Sequence, residues 1–217
     1  ISPGLPRPLF RHALFQLSFC MSTASNASAL TADGTAAYKQ QVDAAAAALP
    51  DLDSSSAVAI MRDVDFDDVL RAGTVEHTIP YANLPHYPAS DGTLTIGTLG
   101  GTQVVELDQA FHLYDGHTPR EVSFPVRMLA TAGIDSLLLA APAGSVTAQA
   151  DRGDLMLLTD HINFQGQNPL VGPNVEEWGP RFPDMTAPYD VALRRRASDA
   201  AQREGISLRK GIYMGLL

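Results

Sequence analysis

The chain has 217 residues and a formal net charge of −9, and apolar residues make up 45% of it. This acidic composition, with no basic cluster except the arginines at 194–196, excludes nucleic acid and anionic membranes as expected partners. The one cysteine, Cys20, excludes an intramolecular disulfide framework and a cysteine-based zinc site, and no apolar run is long enough to span a membrane. We therefore expect one sizeable globular domain in a reducing cytoplasm.

The first 34 residues differ in composition from the rest of the chain. Residues 22–34 are rich in Ser, Thr, Ala and Asn, which is typical of a flexible segment. The apolar patch at 13–19 contains Gln16, so it resembles a signal peptide only faintly. We interpret residues 1–34 as a flexible N-terminal extension, with Met21 as the expected natural start, and residues 35–217 as one domain.

Three helices are predicted along this domain. An Ala-rich stretch predicts the first helix over 35–49. A capping box at 118–121, with proline at the first helical position, starts the second helix, which Gly133 ends. The third helix is predicted to begin near 186–188 and to end at Gly205.

Short apolar runs between Gly, Pro and Asp residues predict strands. The first run, at 57–61, is apolar throughout, which is typical of a strand buried on both faces. The alternation of strands with helices predicts an α/β domain whose helices cover a largely buried sheet. The other predicted strands lie at 75–79, 93–97, 103–107, 136–141, 155–159 and 212–217.

Two blocks of sequence place chemically reactive residues in close succession. Residues 108–116 read Asp-Gln-Ala-Phe-His-Leu-Tyr-Asp-Gly, and residues 160–170 read Asp-His-Ile-Asn-Phe-Gln-Gly-Gln-Asn-Pro-Leu. Together with runs at 121–129 and 179–185, they resemble the trimeric type of the purine-nucleoside phosphorylase family, which also includes methylthioadenosine phosphorylase. The resemblance covers approximately residues 57–217.

This resemblance implies a single-domain phosphorylase-type α/β fold with a mixed central β-sheet flanked by helices. It also implies that the C-terminal strand or strands and the C-terminal helix of that fold are lacking, because the chain ends just before the family's Gly-Pro-x-x-Glu-Thr segment. The implied activity is that of a pentosyltransferase of purine salvage, which converts a purine nucleoside and phosphate to a purine base and ribose 1-phosphate. Inorganic phosphate is the implied co-substrate, and no cofactor, no metal and a homotrimer are expected.

The resemblance implies roles for residues of the first block. Phosphorolysis requires a cradle for phosphate and groups that hold the ribose while positive charge develops on it. His112 is implied as the catalytic residue that contacts phosphate, and Tyr114 as a ribose contact. Asp115 is implied as an orienting carboxylate.

Further roles are implied for later residues. Ala143 and Gly144 belong to a turn whose backbone lines phosphate and purine in the family. Phe164 is our candidate for the aromatic side chain that closes over the ribose of a neighbouring subunit, with a packing role as the alternative. For His161, beside Asn163, we favour a structural hydrogen-bond role over a catalytic one.

At several positions the sequence departs from the family's phosphate site. The glycine-rich phosphate loop is replaced by Arg-Asp-Val-Asp-Phe-Asp-Asp at 62–68, an arginine is replaced by alanine, and a histidine by serine. A proline in the turn at 141–145 removes one N–H donor. We therefore expect weak phosphate binding. The departing residues are Val64, Ser90, Ala110, Ala141 and Pro142.

The carboxylates at 62–68 have two interpretations. Asp63, Asp65, Asp67 and Asp68 form an acidic surface loop that repels phosphate, or they ligate a divalent cation. We favour the surface loop.

The departures from the family leave two alternatives to an active enzyme. One is a catalytically degenerate or truncated homologue acting as a nucleoside-binding or assembly subunit. The other is a gene product with no folded function.

Overall fold

The computed structural model describes residues 31–53, 56–63 and 68–217. Each predicted helix and strand has a counterpart among them, which confirms the α/β class. The expected extension at 1–34, including Met21, lies outside the described residues except for its last four, of which 32–34 belong to the first helix. The elements are α1 (Ala32–Ala47), β1 (Val58–Arg62), β2 (Thr74–Pro80), β3 (Thr93–Leu99), β4 (Thr102–Leu107), α2 (Pro119–Thr131), β5 (Ser136–Ala140), β6 (Leu155–Asn163), α3 (Val191–Arg203) and β7 (Leu208–Gly215).

Five strands form a mixed sheet in the order β2-β3-β4-β1-β5. β1 pairs in parallel with β4 and β5, whereas β3 pairs antiparallel with β2 and β4. β1 therefore lies inside the sheet, and its residues Ala59, Ile60 and Met61 are buried. This position explains why the run at 57–61 is apolar throughout, and the predicted mixed central sheet is confirmed.

β6 and β7 form a separate parallel pair. β7 begins at Leu208, four residues before the predicted strand at 212–217. The prediction missed this start because Arg209 and Lys210 interrupt the apolar pattern. Both side chains are exposed, and Arg209 forms an ion pair with Asp154 at 2.5 Å.

The main core lies where α1 and α2 pack against the central sheet. Val42 from α1 and Met128 from α2 have no exposed surface, and Phe124 from α2 retains only 2%. The Tyr38 hydroxyl donates a hydrogen bond to the Arg120 carbonyl at 2.6 Å, which joins the two helices. This core holds the sheet and its strand ends in a defined position.

The helix starts follow from their capping side chains. Thr118 Oγ1 accepts a hydrogen bond from Glu121 N, and the Glu121 carboxylate accepts one from Thr118 N, so the predicted capping box is confirmed. The predicted start of the third helix near 186–188 is wrong: α3 begins at Val191, because the Asp190 carboxylate caps it by accepting from the backbone three residues later. No helix in the described part of the chain is long and apolar enough to cross a membrane.

Candidate active site

The site lies at the carboxyl ends of the three neighbouring parallel strands β4, β1 and β5. Ligands of α/β sheets commonly bind at this edge. Asp63 directly follows β1, and its backbone N–H donates to the carbonyl of Ala140, the last residue of β5, at 2.7 Å. The segment after β4 carries His112, so the sheet brings residues from distant parts of the sequence together.

His112 and Asp63 form a direct contact at this edge. His112 Nε2 lies 2.9 Å from Asp63 Oδ2, and the side chains are 25% and 10% exposed. The ring of Tyr114 stacks on the His112 ring, with centroids 4.7 Å apart and planes 9° from parallel. The implied catalytic and ribose-contacting residues are therefore adjacent, and a carboxylate that was not expected there completes the group.

The charges around His112 favour its protonated form. The hydrogen bond with Asp63 is the main cause that raises the pKa of His112 above its ordinary value of 6.5, and the charges of Asp63 and Asp115 add to it, while burial opposes the shift. Partial burial, followed by the same two carboxylates, raises the pKa of Tyr114. The two carboxylates therefore favour the protonated over the neutral form of the His112 imidazole.

This pairing predicts a pH-dependent contribution to stability. A histidine whose pKa is higher in the folded than in the unfolded chain stabilises the fold below its ordinary pKa, and this contribution is lost as pH rises through the folded value. We expect the free energy of unfolding lost in His112→Asn to be largest near about pH 5 and to shrink toward about pH 8. Urea unfolding of both proteins across this range measures it.

The exposed His77 on β2 offers a matched control for this measurement. His77→Asn is expected to change the unfolding free energy little at every pH. A loss in His112→Asn that stays constant with pH would contradict the Asp63–His112 ion pair.

A hydrogen-bonded anchor holds the segment that carries His112. Asp108 Oδ2, just after β4, accepts hydrogen bonds from the backbone N–H and the hydroxyl of Thr93, both at 2.9 Å. Phe111 is 4% exposed and contacts the ring of Tyr87, with centroids 5.7 Å apart. These contacts limit how far His112 can move.

A cleft of about 780 Å³ opens beside the Asp63–His112 pair, bordered by β6, β7 and the segment 169–183. Several implied site residues line it, and others do not. Ser90, Asp115, Ala143, Gly144 and Phe164 are outside its lining, although the Asp115 charge acts on His112. Val64 lies outside the described residues. The implied positions in its wall are Ala110, His112, Tyr114, Ala141 and Pro142.

The expectation of an acidic surface loop at 62–68 is wrong for Asp63, which is 8% exposed and paired with His112. Asp68 is at the surface and pairs with Arg62 at 2.7 Å. Asp65 and Asp67 lie outside the described residues. The described residues contain no group of three or more potential metal ligands, and Asp63 and Asp68 contact different partners, so the cation interpretation gains no support.

Sequence reasoning missed a buried ion pair beneath the site. Arg62 Nε lies 2.5 Å from Glu106 Oε1, and the side chains are 7% and 3% exposed. The Glu106 carboxylate also accepts hydrogen bonds from the backbone N–H groups of Val69 and Leu70, at 2.8 and 3.1 Å. Arg62 at the end of the apolar run of β1 and Glu106 between Val105 and Leu107 in β4 were the signal that could have indicated this pair.

The second sequence block builds a wall of the cleft through structural contacts. His161 Nδ1 lies 3.0 Å from the Tyr189 hydroxyl, and Asn163 Nδ2 donates to the Gln167 carbonyl at 3.1 Å. These contacts fit the structural role that we favour for His161. Phe164 is 68% exposed, so it is not packed within the described part of the chain.

Comparison with known proteins places this fold and cleft in context. The sequence model of the phosphorylase superfamily matches residues 60–216. Purine nucleoside phosphorylase 1 of Bacillus subtilis is 41% identical over 140 residues, which are 62% of this chain and 52% of that protein. The chain thus spans about half the length of the curated relatives it matches, 52% for each of the first three.

Solved structures of purine nucleoside phosphorylases are also similar to this chain. Schistosoma purine nucleoside phosphorylase in complex with guanosine is 30% identical, with a TM-score of 0.72 over 81% of this chain and 67% of that one. A purine nucleoside phosphorylase in complex with ribose-1-phosphate is 29% identical, with a TM-score of 0.73 over 81% of this chain and 68% of that one.

Proposed function

Because the chain belongs to the purine nucleoside phosphorylase family of the phosphorylase superfamily, we propose that it binds a purine nucleoside in the cleft beside His112 and Tyr114. The family reaction, cleavage of the nucleoside by inorganic phosphate to a purine base and ribose 1-phosphate, is the reaction that we propose for this cleft. The observation that carries the proposal is the stacked His112–Tyr114 pair in the wall of a cleft large enough for a nucleoside.

The proposed roles follow from what each group can supply. His112 is the proposed catalytic residue and phosphate contact, because a protonated imidazole can donate a hydrogen bond to an anion. Tyr114, 67% exposed, offers an aromatic face and a hydroxyl to the ribose. The carboxylate of Asp115 orients His112 through its charge. Positive charge that develops on the ribose during cleavage is stabilised by the Asp63 and Asp115 carboxylates.

Residues outside the His112–Tyr114 pair are also proposed to contact the ligands. Ala143 and Gly144 are proposed to contact phosphate and purine through their backbone, which requires the turn at 141–145 to approach the ligand. Phe164 is proposed to reach the ribose of a neighbouring subunit in a homotrimer, which its exposure allows. We propose a cytoplasmic protein that uses inorganic phosphate as co-substrate and needs no cofactor or metal.

A second candidate function is that of a nucleoside-binding or assembly subunit with little phosphorolysis. The contact between Asp63 and His112 favours it, because the carboxylate faces the nitrogen that phosphate would need. Ala110 supplies no charge to the cleft, and Pro142 supplies no backbone N–H donor. Nucleoside binding is common to both candidates, whereas phosphate-dependent release of the base distinguishes them.

Nucleoside binding is tested by thermal unfolding with inosine or guanosine. We expect either nucleoside to raise the Tm of the 217-residue chain, because a ligand that binds only the folded state stabilises it. His112→Ala is expected to remove this rise, whereas His77→Ala, outside the cleft, keeps it. An unchanged Tm with both nucleosides would contradict the proposed function.

The reaction is tested by measuring hypoxanthine released from inosine with and without phosphate. We expect slow phosphate-dependent release, because an anion at His112 must compete with the nearby Asp63 carboxylate. Release that saturates with phosphate would assign the chain as a working phosphorylase. Nucleoside binding without release would assign it as the binding subunit.

A further inference from the structure

A carboxylate lies at the part of the cleft that is proposed to hold the ribose. Asp63 directly follows the central strand β1 and lines the cleft together with His112 and Tyr114. Its Oδ2 lies 2.9 Å from His112 Nε2. After partial burial, the charge of Asp63 is the next cause that raises the pKa of Tyr114. The carboxylate is therefore close to both side chains that are proposed to contact the reacting part of a nucleoside.

The fold fixes the position of this carboxylate. The backbone N–H of Asp63 donates to the Ala140 carbonyl at 2.7 Å, so the residue is held between the ends of β1 and β5. Its side chain is 10% exposed and lies in the cleft wall. A carboxylate has about four lone-pair sites for hydrogen bonds. Asp63 can therefore accept a proton from a water molecule in the cleft in addition to contacting the protein.

Water and phosphate make different demands on a site that breaks a glycosidic bond. A phosphate anion already carries the charge that attacks C1′ of the sugar, whereas water has to lose a proton as it attacks. A carboxylate that acts as general base removes this proton in the hydrolysis of glycosides, whose transition state carries positive charge on the sugar. A buried carboxylate beside the ribose thus supplies the group that hydrolysis requires.

The charges at this edge also suit a neutral nucleophile. Asp63 and Asp115 both act on His112 through their negative charges. Negative charges repel an approaching anion but not a water molecule. They stabilise the positive charge that develops on the ribose whichever nucleophile attacks it. Water can therefore react at the same carbon as phosphate.

We propose that the chain also hydrolyses purine nucleosides, with Asp63 as the catalytic general base that activates water. The water oxygen forms a bond to C1′ of the ribose as the bond between C1′ and N9 of the purine breaks. The proton of the water passes to the Asp63 carboxylate and from there to solvent. The electron pair of the broken bond stays on the purine, which takes up a proton from solvent. The products are free ribose and the purine base.

This hydrolysis rests on the proposed function for nucleoside binding, and it adds water to phosphate as a second nucleophile. The test incubates inosine with the purified 217-residue chain in phosphate-free buffer and measures hypoxanthine and free ribose. We expect equal amounts of both products. Asp63→Asn is expected to lower the rate at least about 100-fold, because a general base contributes about 10²–10⁴-fold.

A matched control separates the role of Asp63 from the change in net charge. Asp135 is exposed and precedes β5 at the end of the strand opposite the cleft. Asp135→Asn alters net charge as Asp63→Asn does, and we expect it to hydrolyse inosine at the rate of the unmodified chain. Equal phosphate-free release by the unmodified chain and by Asp63→Asn would overturn the proposal.

The ratio of products in the presence of phosphate distinguishes a general base from a residue that only supports the site. Water yields ribose and phosphate yields ribose 1-phosphate, so one reaction reports both nucleophiles. We expect Asp63→Asn to lower the ratio of ribose to ribose 1-phosphate at least about tenfold, because only water needs a base. Asp115→Asn also removes a negative charge that acts on His112, and we expect it to change the ratio less. An equal fall in both variants would contradict the assignment of Asp63.

A further result requires no variant, so the proposal stays falsifiable if Asp63→Asn does not fold. A rise in Tm with inosine, without hypoxanthine release by the unmodified chain in phosphate-free buffer, would overturn hydrolysis and leave nucleoside binding in place. An unchanged Tm with inosine and guanosine would instead contradict the proposed function itself.

Discussion

Replacing Arg62 with methionine is expected to lower the free energy of unfolding by about 3–5 kcal/mol, because it leaves a buried carboxylate without its counter-charge. Glu106 is 2% exposed, and Arg62 is its ion-pair partner at 2.5 Å. The Glu106 carboxylate also accepts hydrogen bonds from the backbone of Val69 and Leu70, so a displacement of this carboxylate loosens the turn at 69–72. Urea unfolding at neutral pH measures the loss.

Two further variants show whether the loss comes from the buried pair. Arg195→Met removes an arginine from the exposed surface of α3 and is expected to change the unfolding free energy by less than about 0.5 kcal/mol. The double variant Arg62→Met with Glu106→Gln is expected to be more stable than the sum of the single losses predicts, because the unpaired charge is gone. Additive losses would contradict a direct interaction between Arg62 and Glu106.

Replacing Phe124 with alanine is expected to destabilise the fold by about 3–5 kcal/mol, the usual loss for a buried aromatic side chain. Phe124 lies on α2 and is 2% exposed. Its ring meets the rings of Tyr38 and Tyr87 edge to face, at centroid distances of 6.0 and 5.9 Å. The substitution therefore opens a cavity where α1, α2 and the segment before β3 meet, and thermal or urea unfolding measures its cost.

Phe182 provides the matched phenylalanine at the surface. It is 87% exposed, so Phe182→Ala is expected to change the unfolding free energy by less than about 0.5 kcal/mol. A similar loss in both variants would show that Phe124 does not lie in the core. The inosine-induced rise in Tm gives a second measurement. If Phe124→Ala still folds, we expect this rise to persist, because the substitution leaves the His112–Tyr114 pair in place.

The helices and strands could be predicted because their signals are local. A capping box at 118–121 needs only two side chains and the backbone between them, and the structure contains both hydrogen bonds. The run at 57–61 is apolar because β1 has a strand on each side and helices over the sheet. The start of α3 was mispredicted because Thr186 and Pro188 offer a local start signal, whereas the structure caps the helix with the Asp190 carboxylate.

The candidate site could be predicted only in part. His112 and Tyr114 lie two positions apart in one sequence block, so their proximity follows from the chain itself, and the resemblance of that block indicated their importance. The partner of His112 is Asp63, at the end of a different strand. The segment 62–68 contains four aspartates, and nothing in the sequence indicates which of them is buried.

The sequence by itself therefore determined the class of fold, the order of its elements and the family, because periodicity, caps and near-continuous motifs are properties of neighbouring residues. The tertiary structure alone decided which charges face each other. Parallel pairing of β1 with β4 and β5 brings Asp63 to His112 and Arg62 to Glu106, and burial strengthens both contacts by excluding water. Pairings across a sheet depend on strand order and register, which no short stretch of sequence contains.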